Sequence, residues 1–314
     1  MIATAPAKTA VIHSFEALRE ASRLCGPKRV GVVVADDEVA LLAAAGVAEL
    51  GLAVPVLIGD EPKIRHRIRE LGVEVLLRES VFIVAADSAT AAATATRMAN
   101  DGMLDILLKG HLRTDELLRA VLAKDSGLRT GRLLSDVMLY EDTLSGSKRL
   151  VGVTDGGLNV APTIEQKKQI LLNALDVMRA LGVSRPKIAV MSATEIVTES
   201  LPSTMDARTL TEMGLLGAFG DADVYGPLAL DNALLESAAR EKGITSPVAG
   251  HADCMVVPNI ESGNLLGKAV KYLGGSQCAH VVVGAKVPIL IPSRVESVDD
   301  KINSVALGVL AHGA

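Results

Sequence analysis

Residues 29–59 read RVGVVVADDEVALLAAAGVAELGLAVPVLIG. Arg29–Ala35 is an apolar, β-branched run. Asp37–Leu50 is an Ala-rich stretch of helical length ending at Gly51, and Val54–Ile58 is a second apolar run. Strand, helix and strand in this order predict a crossover unit, two parallel strands with a helix packed across them. The alternation continues along the chain. Helices are predicted at Pro62–Leu71, Ser88–Asp101, Asp115–Lys124, Thr163–Leu181, Asp231–Glu241 and Asn264–Leu273. Strands are predicted at Ile106–Lys109, Leu150–Thr154, Lys187–Ala193, Asp253–Val257 and His280–Val283. The expected class is α/β: two lobes built on parallel-rich sheets, with a cleft between them.

Composition narrows what such a scaffold does. The chain has 314 residues, enough for one large or two ordinary domains. It is 49% hydrophobic but only 2% aromatic and lacks tryptophan, so Ala, Val, Leu and Ile must build the core. A net charge of −5 provides no basic face for nucleic acid, and few aromatics remain for stacking bases. Mean hydropathy of +0.35 excludes a disordered chain. The most apolar stretch, His280–Pro292, carries Lys286 and Pro288 and is too short for the ~30 Å of a bilayer. Met1–Ser14 lacks the basic start and apolar block of a signal peptide. Cys25, Cys254 and Cys278 share no short spacing, which fits a reducing compartment. A soluble cytoplasmic protein is expected.

Common site signatures are absent or incomplete. No G-x-G-x-x-G follows the first strand, and no G-x-S-x-G occurs. Gly263–Lys268 (GNLLGK) is one residue short of a phosphate loop and reads as a helix packed through small residues. His251, Asp253 and Cys254 read as a turn and strand start, and His13, His66, His280 and His312 as structural or surface residues. The segment from Val287 is richer. An apolar strand ends at Pro292, Ser293 and Arg294 follow, and a helix starts near Val298. Ser297 and Asp300 have the spacing of a capping box in aspartate form, with the carboxylate where the helix dipole favours it. Spacing alone favours that capping role. The functional reading makes strand, loop and helix start an anion site, with Arg294 as a phosphate fork and Asp300 beside it.

Ser293-Arg294, with Asp300 six positions past the arginine, resembles the C-terminal motif of the phosphate acetyltransferase and phosphate butyryltransferase family. The likeness extends to KGHLRTDELLRAVL at Lys109–Leu122, GLRTG at Gly127–Gly131 and TDGGLN at Thr154–Asn159 with Pro162. It continues through GPLALDN at Gly226–Asn232, VVPNIESGN within Gly250–Asn264, and GAKVP at Gly284–Pro288. These motifs run from Lys109 to Leu307, about two-thirds of the chain. Lys109-Gly110 and GLRTG lean toward the butyryl branch, since acetyl-specific enzymes tend to carry serine there and a histidine-serine-threonine run. Two positions depart from the pattern: Asp136, where relatives commonly have histidine, and Gly267, where an aromatic is usual.

The resemblance implies reversible transfer of a short acyl group, acyl-CoA plus phosphate giving acyl phosphate plus coenzyme A. It implies an isocitrate/isopropylmalate dehydrogenase-like fold, with residues 1–130 and 281–314 forming a discontinuous first domain and 131–280 the second. Asp300 would take the proton from the thiol, whose free pKa is ~8.5. The thiolate would attack the acyl carbonyl directly, with Ser293 and nearby backbone N–H groups holding the oxyanion. Arg294 and Arg119 would grip phosphate, and Lys109 sits at a glycine turn where α/β enzymes place ligands. Acyl-CoA and phosphate are the implied partners, with no permanently bound cofactor, no metal, no membrane or nucleic acid, and a homodimer or higher homo-oligomer as the assembly. A non-catalytic acyl-CoA-sensing module of the same fold and a metal-dependent hydroxyacid dehydrogenase are the competing readings.

Overall fold

The computed structural model describes residues 10–144, 146, 148–293 and 296–313. In chain order it comprises α1 (Phe15–Leu24), β1 (Lys28–Val33), α2 (Glu38–Glu49), β2 (Ala53–Gly59), α3 (Glu61–Glu70), α4 (Leu76–Glu79) and β3 (Val81–Val84). Then follow α5 (Ser88–Asn100), β4 (Ile106–Lys109), α6 (Thr114–Leu122), β5 (Ser135–Asp142), β6 (Arg149–Thr154), α7 (Ile164–Ala180) and β7 (Lys187–Met191). The remainder is α8 (Pro202–Leu215), β8 (Asp223–Leu228), α9 (Leu230–Leu234), α10 (Glu236–Glu241), β9 (Cys254–Val256) and α11 (Ile260–Lys268). A π-helical turn (Ala269–Leu273), β10 (Cys278–Val283), β11 (Ile289–Leu290) and α12 (Val298–Ala311) complete it.

The crossover unit read from residues 29–59 is present, with β1 parallel to β2 and Val33 paired with Ile58. Asp37, Asp60 and Asp87 end successive strand-to-helix loops. Each side chain accepts from an N–H in the first turn of its helix, at 2.8, 3.1 and 2.7 Å. The expectation of more than one sheet is corrected. The strands form a single eleven-stranded sheet in the order β3-β2-β1-β4-β11-β10-β5-β6-β9-β7-β8. Its three antiparallel pairings, β11–β10, β10–β5 and β5–β6, lie together at the centre. They join two parallel halves, because β5 and β10 bond to neighbours on both edges and leave no gap between the halves.

The predicted helix over Asp231–Glu241 divides into α9 and α10, with Leu235 extended between them. Strand β8 contains Gly226-Pro227, and a proline argues against a central strand. It is tolerated because β8 is the last strand of the sheet. Among the described residues, no helix is long and apolar enough to cross a membrane.

The two faces of the sheet are covered differently. One carries a continuous core to which α1, α2, α3, α7, α8 and α12 contribute, including Phe15, Leu41, Ile68, Leu171, Leu210 and Val305. On the other face the apolar residues split. One cluster lies beneath α5 and α6, with Ala95, Leu117 and Val121. The second lies beneath α9 and α10, with Ala233, Leu234 and Ala239. The interruption between them positions the site.

Candidate active site

Alternation along the strands sends every second side chain to the same face. Leu107 and Val282 belong to the first of the split clusters, and Met138, Val153 and Cys278 to the second. Lys109 therefore shares the face of Leu107, His280 that of Cys278 and Val282, and Asp136 that of Met138. All three line a cleft of about 540 Å³ that opens where the clusters part. Its walls include Leu112–Asp115 from the start of α6, Gly156 and Gly157 after β6, Gly263, Asn264, Gly267, Lys268 and Lys271 of α11 and the π-helical turn, and Ile291–Ser293 with Glu296. A volume of this size suits a small-molecule substrate.

Cationic groups gather there. Lys109, Arg113, Lys268, Lys271 and His280 line the cleft, against Asp115, Asp136 and Glu296. Lys109 is buried, and its Nζ donates to the carbonyls of Leu112 and Gly110 at 3.4 and 3.5 Å. Lys271 is ion-paired with Asp300. Cationic groups outnumber acidic ones in the lining, although Arg113 is paired with Asp115 at 2.8 Å.

The residues singled out from the sequence fall at different depths. Ser293 lines the cleft, and its N–H donates to Glu296 Oε1 at 2.8 Å. Arg294 lies outside the described residues. Lys109 is on the floor. Asp300 is buried and does not line the cleft; it reaches it through Lys271. Its capping box is formed, with Ser297 N donating to Asp300 Oδ2 at 3.3 Å and Asp300 N donating back to Ser297 Oγ at 3.2 Å; Ser297 Oγ also donates to Asp300 Oδ2 at 2.6 Å. Cys278 N also donates to Asp300 Oδ1, at 2.8 Å. Burial pushes the Asp300 carboxyl up, but Lys271, Ser297 and the Cys278 N–H outweigh it and hold it below its usual range. Arg119 is on α6 with its side chain 76% exposed and paired with Asp115 at 3.2 Å, outside the cleft lining. Arg113, earlier on the same segment, takes the rim position instead.

This arrangement lies inside a stretch with known counterparts. Residues 80–309 match the family model described as phosphate acetyl/butaryl transferase. The chain belongs to this family of acyltransferases. A phosphate acetyltransferase of Rhizobium meliloti is 39% identical over 296 residues, covering 94% of this chain and 92% of the relative. A phosphate butyryltransferase of Clostridium acetobutylicum is 37% identical over 286 residues, covering 91% and 94%. The crystal structure of a branched-chain phosphotransacylase from Enterococcus faecalis V583 superposes with a TM-score of 0.79 at 27% identity, over 91% of this chain and 99% of that one. Identities of 39% and 37% do not separate the acetyl from the butyryl branch.

The structure gives structural duties to transferase motif residues that sequence left without one. Asp155 gathers the turn after β6, accepting from Gly157 N and Leu158 N at 2.8 and 2.9 Å and from Asn159 Nδ2 at 2.5 Å. Burial, with Asp136 nearby, raises its pKa against those bonds. Asn159 Nδ2 also reaches Leu134 O at 2.9 Å, and Asn264 Nδ2 reaches Gly156 O at 3.3 Å. Gly263–Lys268 does pack through small residues: a Cβ at Gly263 would lie 2.7 Å from Gly156 Cα. At Gly267 a Cβ would lie 2.8 Å from Met138 Sδ, so α11 approaches β5 over a bare position. Asp253 serves its turn, accepting from Lys187 N at 2.8 Å beside the start of β9.

His280 was missed. Its sequence neighbours offer no partner, yet its Nδ1 lies 3.2 Å from Asp136 Oδ2 inside the cleft. The available signal was its odd position: a polar residue in an otherwise apolar strand, on the face shared by Cys278 and Val282.

Proposed function

We propose that this acyltransferase moves a short acyl group reversibly between coenzyme A and inorganic phosphate. The carrying observation is the cation-rich cleft, floored by Lys109, Lys271 and His280 with Ser293 at its wall. In the direction that consumes acyl phosphate, sulfur attacks the acyl carbon while the thiol proton leaves. Asp300 receives the proton by a short relay: the thiol proton passes to Lys271 Nζ as Lys271 gives one to Asp300. The gap between a free thiol and an ordinary carboxylate corresponds to about 6 kcal/mol, and Asp300 is held lower still. Transfer therefore accompanies C–S bond formation rather than preceding it. The Ser293 hydroxyl donates to the oxyanion, the C–O bond breaks, and phosphate leaves with the electron pair.

Arg294 and Arg119 are assigned to phosphate by their place in the family motifs, with Lys109 as a further cation on the floor. For Arg119 this means leaving Asp115, the cleft-lining carboxylate it now pairs with. Coenzyme A and acyl-CoA enter as substrates, with no resident cofactor assigned. Residues 1–130 with 281–314, and 131–280, are taken as the two domains of an isocitrate dehydrogenase-like fold. The lining supports that division, since Lys109 and Ser293 come from one part and Asp136, Gly156 and Lys271 from the other. We place the enzyme in the cytoplasm as a homodimer or higher homo-oligomer. The apolar Leu215 and Leu216, 83% and 87% exposed at the C-terminal end of α8, support the assembly.

The test is phosphate-dependent release of thiol from acetyl-CoA and butyryl-CoA. Release that tracks added phosphate is expected. Tight acyl-CoA binding without turnover would replace this reading by the acyl-CoA-sensing module.

A further inference from the structure

The pairing of β10 with β5 sets His280 opposite Met138 and Val282 opposite Asp136. His280 and Asp136 are therefore diagonal neighbours on one face, within reach of each other's side chains. Asp136 is buried at 4% exposure, and both its oxygens lie near His280 Nδ1, at 3.2 and 3.4 Å. Gly157 adds to the fit: a Cβ there would lie 3.0 Å from Asp136 Oδ2, so a side chain would crowd the carboxylate. With Nδ1 engaged, the ring has a fixed orientation, and among the described residues no partner meets Nε2. The ring lines the cleft beside Lys109 and Lys271.

We propose that His280, oriented by Asp136, donates through Nε2 to a phosphate oxygen of the substrate and is a further phosphate-binding residue of this site. This rests on the acyltransferase reading above. The alternative for the same pair is a general base toward the thiol, with Asp136 orienting an imidazole that accepts. The charges around the ring decide between them. Asp136 on β5, Glu296 before α12 and Asp300 on α12 are the acids that face it; Lys109, Arg113, Lys268 and Lys271 are the cations of the same cleft, with Asp115 a further acid in its lining. Burial pulls the imidazole down, but Asp136, then Glu296 and Asp300, outweigh it and raise its pKa to about 9. At neutral pH the ring is an imidazolium, with a proton to donate and no lone pair to accept one.

His280→Gln removes the charge and keeps a polar side chain. Loss of one charge-assisted hydrogen bond should raise KM for inorganic phosphate about ten- to a hundredfold. KM for acyl-CoA should change little. Without any substitution, the imidazole can be titrated by NMR with and without inorganic phosphate, a readout independent of turnover. Its midpoint should lie near pH 9 and move higher when phosphate is present. Asp136→Asn should bring it down toward its ordinary 6.5 and make the phosphate KM rise at correspondingly lower pH. An unchanged phosphate KM in His280→Gln, or a midpoint indifferent to phosphate, would overturn the proposal. So would a kcat that rises as the imidazolium loses its proton, the signature of a base. A protein that binds phosphate through His280 but never turns over would refute the acyltransferase reading alone.

Discussion

Gly263 on α11 and Gly156 after β6 meet backbone to backbone, so closely that a methyl on Gly263 would fall 2.7 Å from Gly156 Cα and 2.9 Å from Asp155 O. This contact holds one wall of the cleft against the turn that forms its neighbour. Backbone atoms cannot rotate away as a side chain can. Gly263→Ala should cost about 1–3 kcal/mol of stability, the range for overpacking a filled site. Urea unfolding would show it as a lower midpoint at unchanged slope, and an unshifted midpoint would mean that helix and turn are free to separate.

Asp300 carries both a cap and a proposed proton transfer, and two variants separate them. Ser297→Ala removes the hydroxyl half of the capping box and should cost ~1 kcal/mol of stability, with a far smaller loss of rate than removal of the carboxylate itself. Asp300→Asn should lower kcat by about 10²-fold or more, the range for general acid–base catalysis. An unchanged kcat would return Asp300 to capping alone. The acid side is also testable. Because Asp300 is held below its ordinary value of 3.8, its stabilisation is complete above that pH and is lost as pH falls through the lower folded value. Asp300→Asn should flatten that part of the stability profile.

Gly267 bears on acyl length. Its missing Cβ would lie 2.8 Å from Met138 Sδ, the far end of a flexible side chain that lines the cleft. Gly267→Val should displace Met138 and narrow the space beside Val153. The kcat/KM for butyryl-CoA should then fall more than for acetyl-CoA, with ~1–3 kcal/mol of discrimination per methylene at stake. Equal losses on both substrates would place the acyl chain elsewhere.

The thiols should divide cleanly. Burial raises Cys254 and Cys278 to about 12, whereas Cys25 is exposed. A chromogenic disulfide should label one thiol quickly in the native protein and all three in denaturant. Fast labelling of two would place a second cysteine within reach of solvent. The outcome also sets the background for the thiol-release assay.

Much of the scaffold was legible in local patterns. Ile106–Lys109 is the strand expected, and α2, α3, α5 and α7 lie within a residue or two of their predicted ends because an Asp or Thr cap and a glycine stop are written beside them. Strand β5 passed unread, since SDVMLYED carries acidic residues within it and lacks alternation; it becomes a central strand because β6 and β10 pair on either side of it. Of the residues singled out from the sequence, two stand at the cleft, whereas Asp300 and Arg119 do not line it. Ser293 and Lys109 adjoin strand ends, and both line the cleft.

Sequence alone was enough to establish the α/β class, the crossover at residues 29–59 and the family, because each rests on residues close together in the chain or on motifs in fixed order. The seam that fuses two parallel halves, and the cleft it opens, were decided by long-range pairing. Asp136 and His280 are 144 residues apart and meet only through the register of β5 against β10. A shift of that register by one residue would turn either side chain to the opposite face, beneath α12 and α7. No local pattern records such a choice; it is settled when apolar clusters on both faces of the sheet are buried together, leaving these two polar groups where the cover stops.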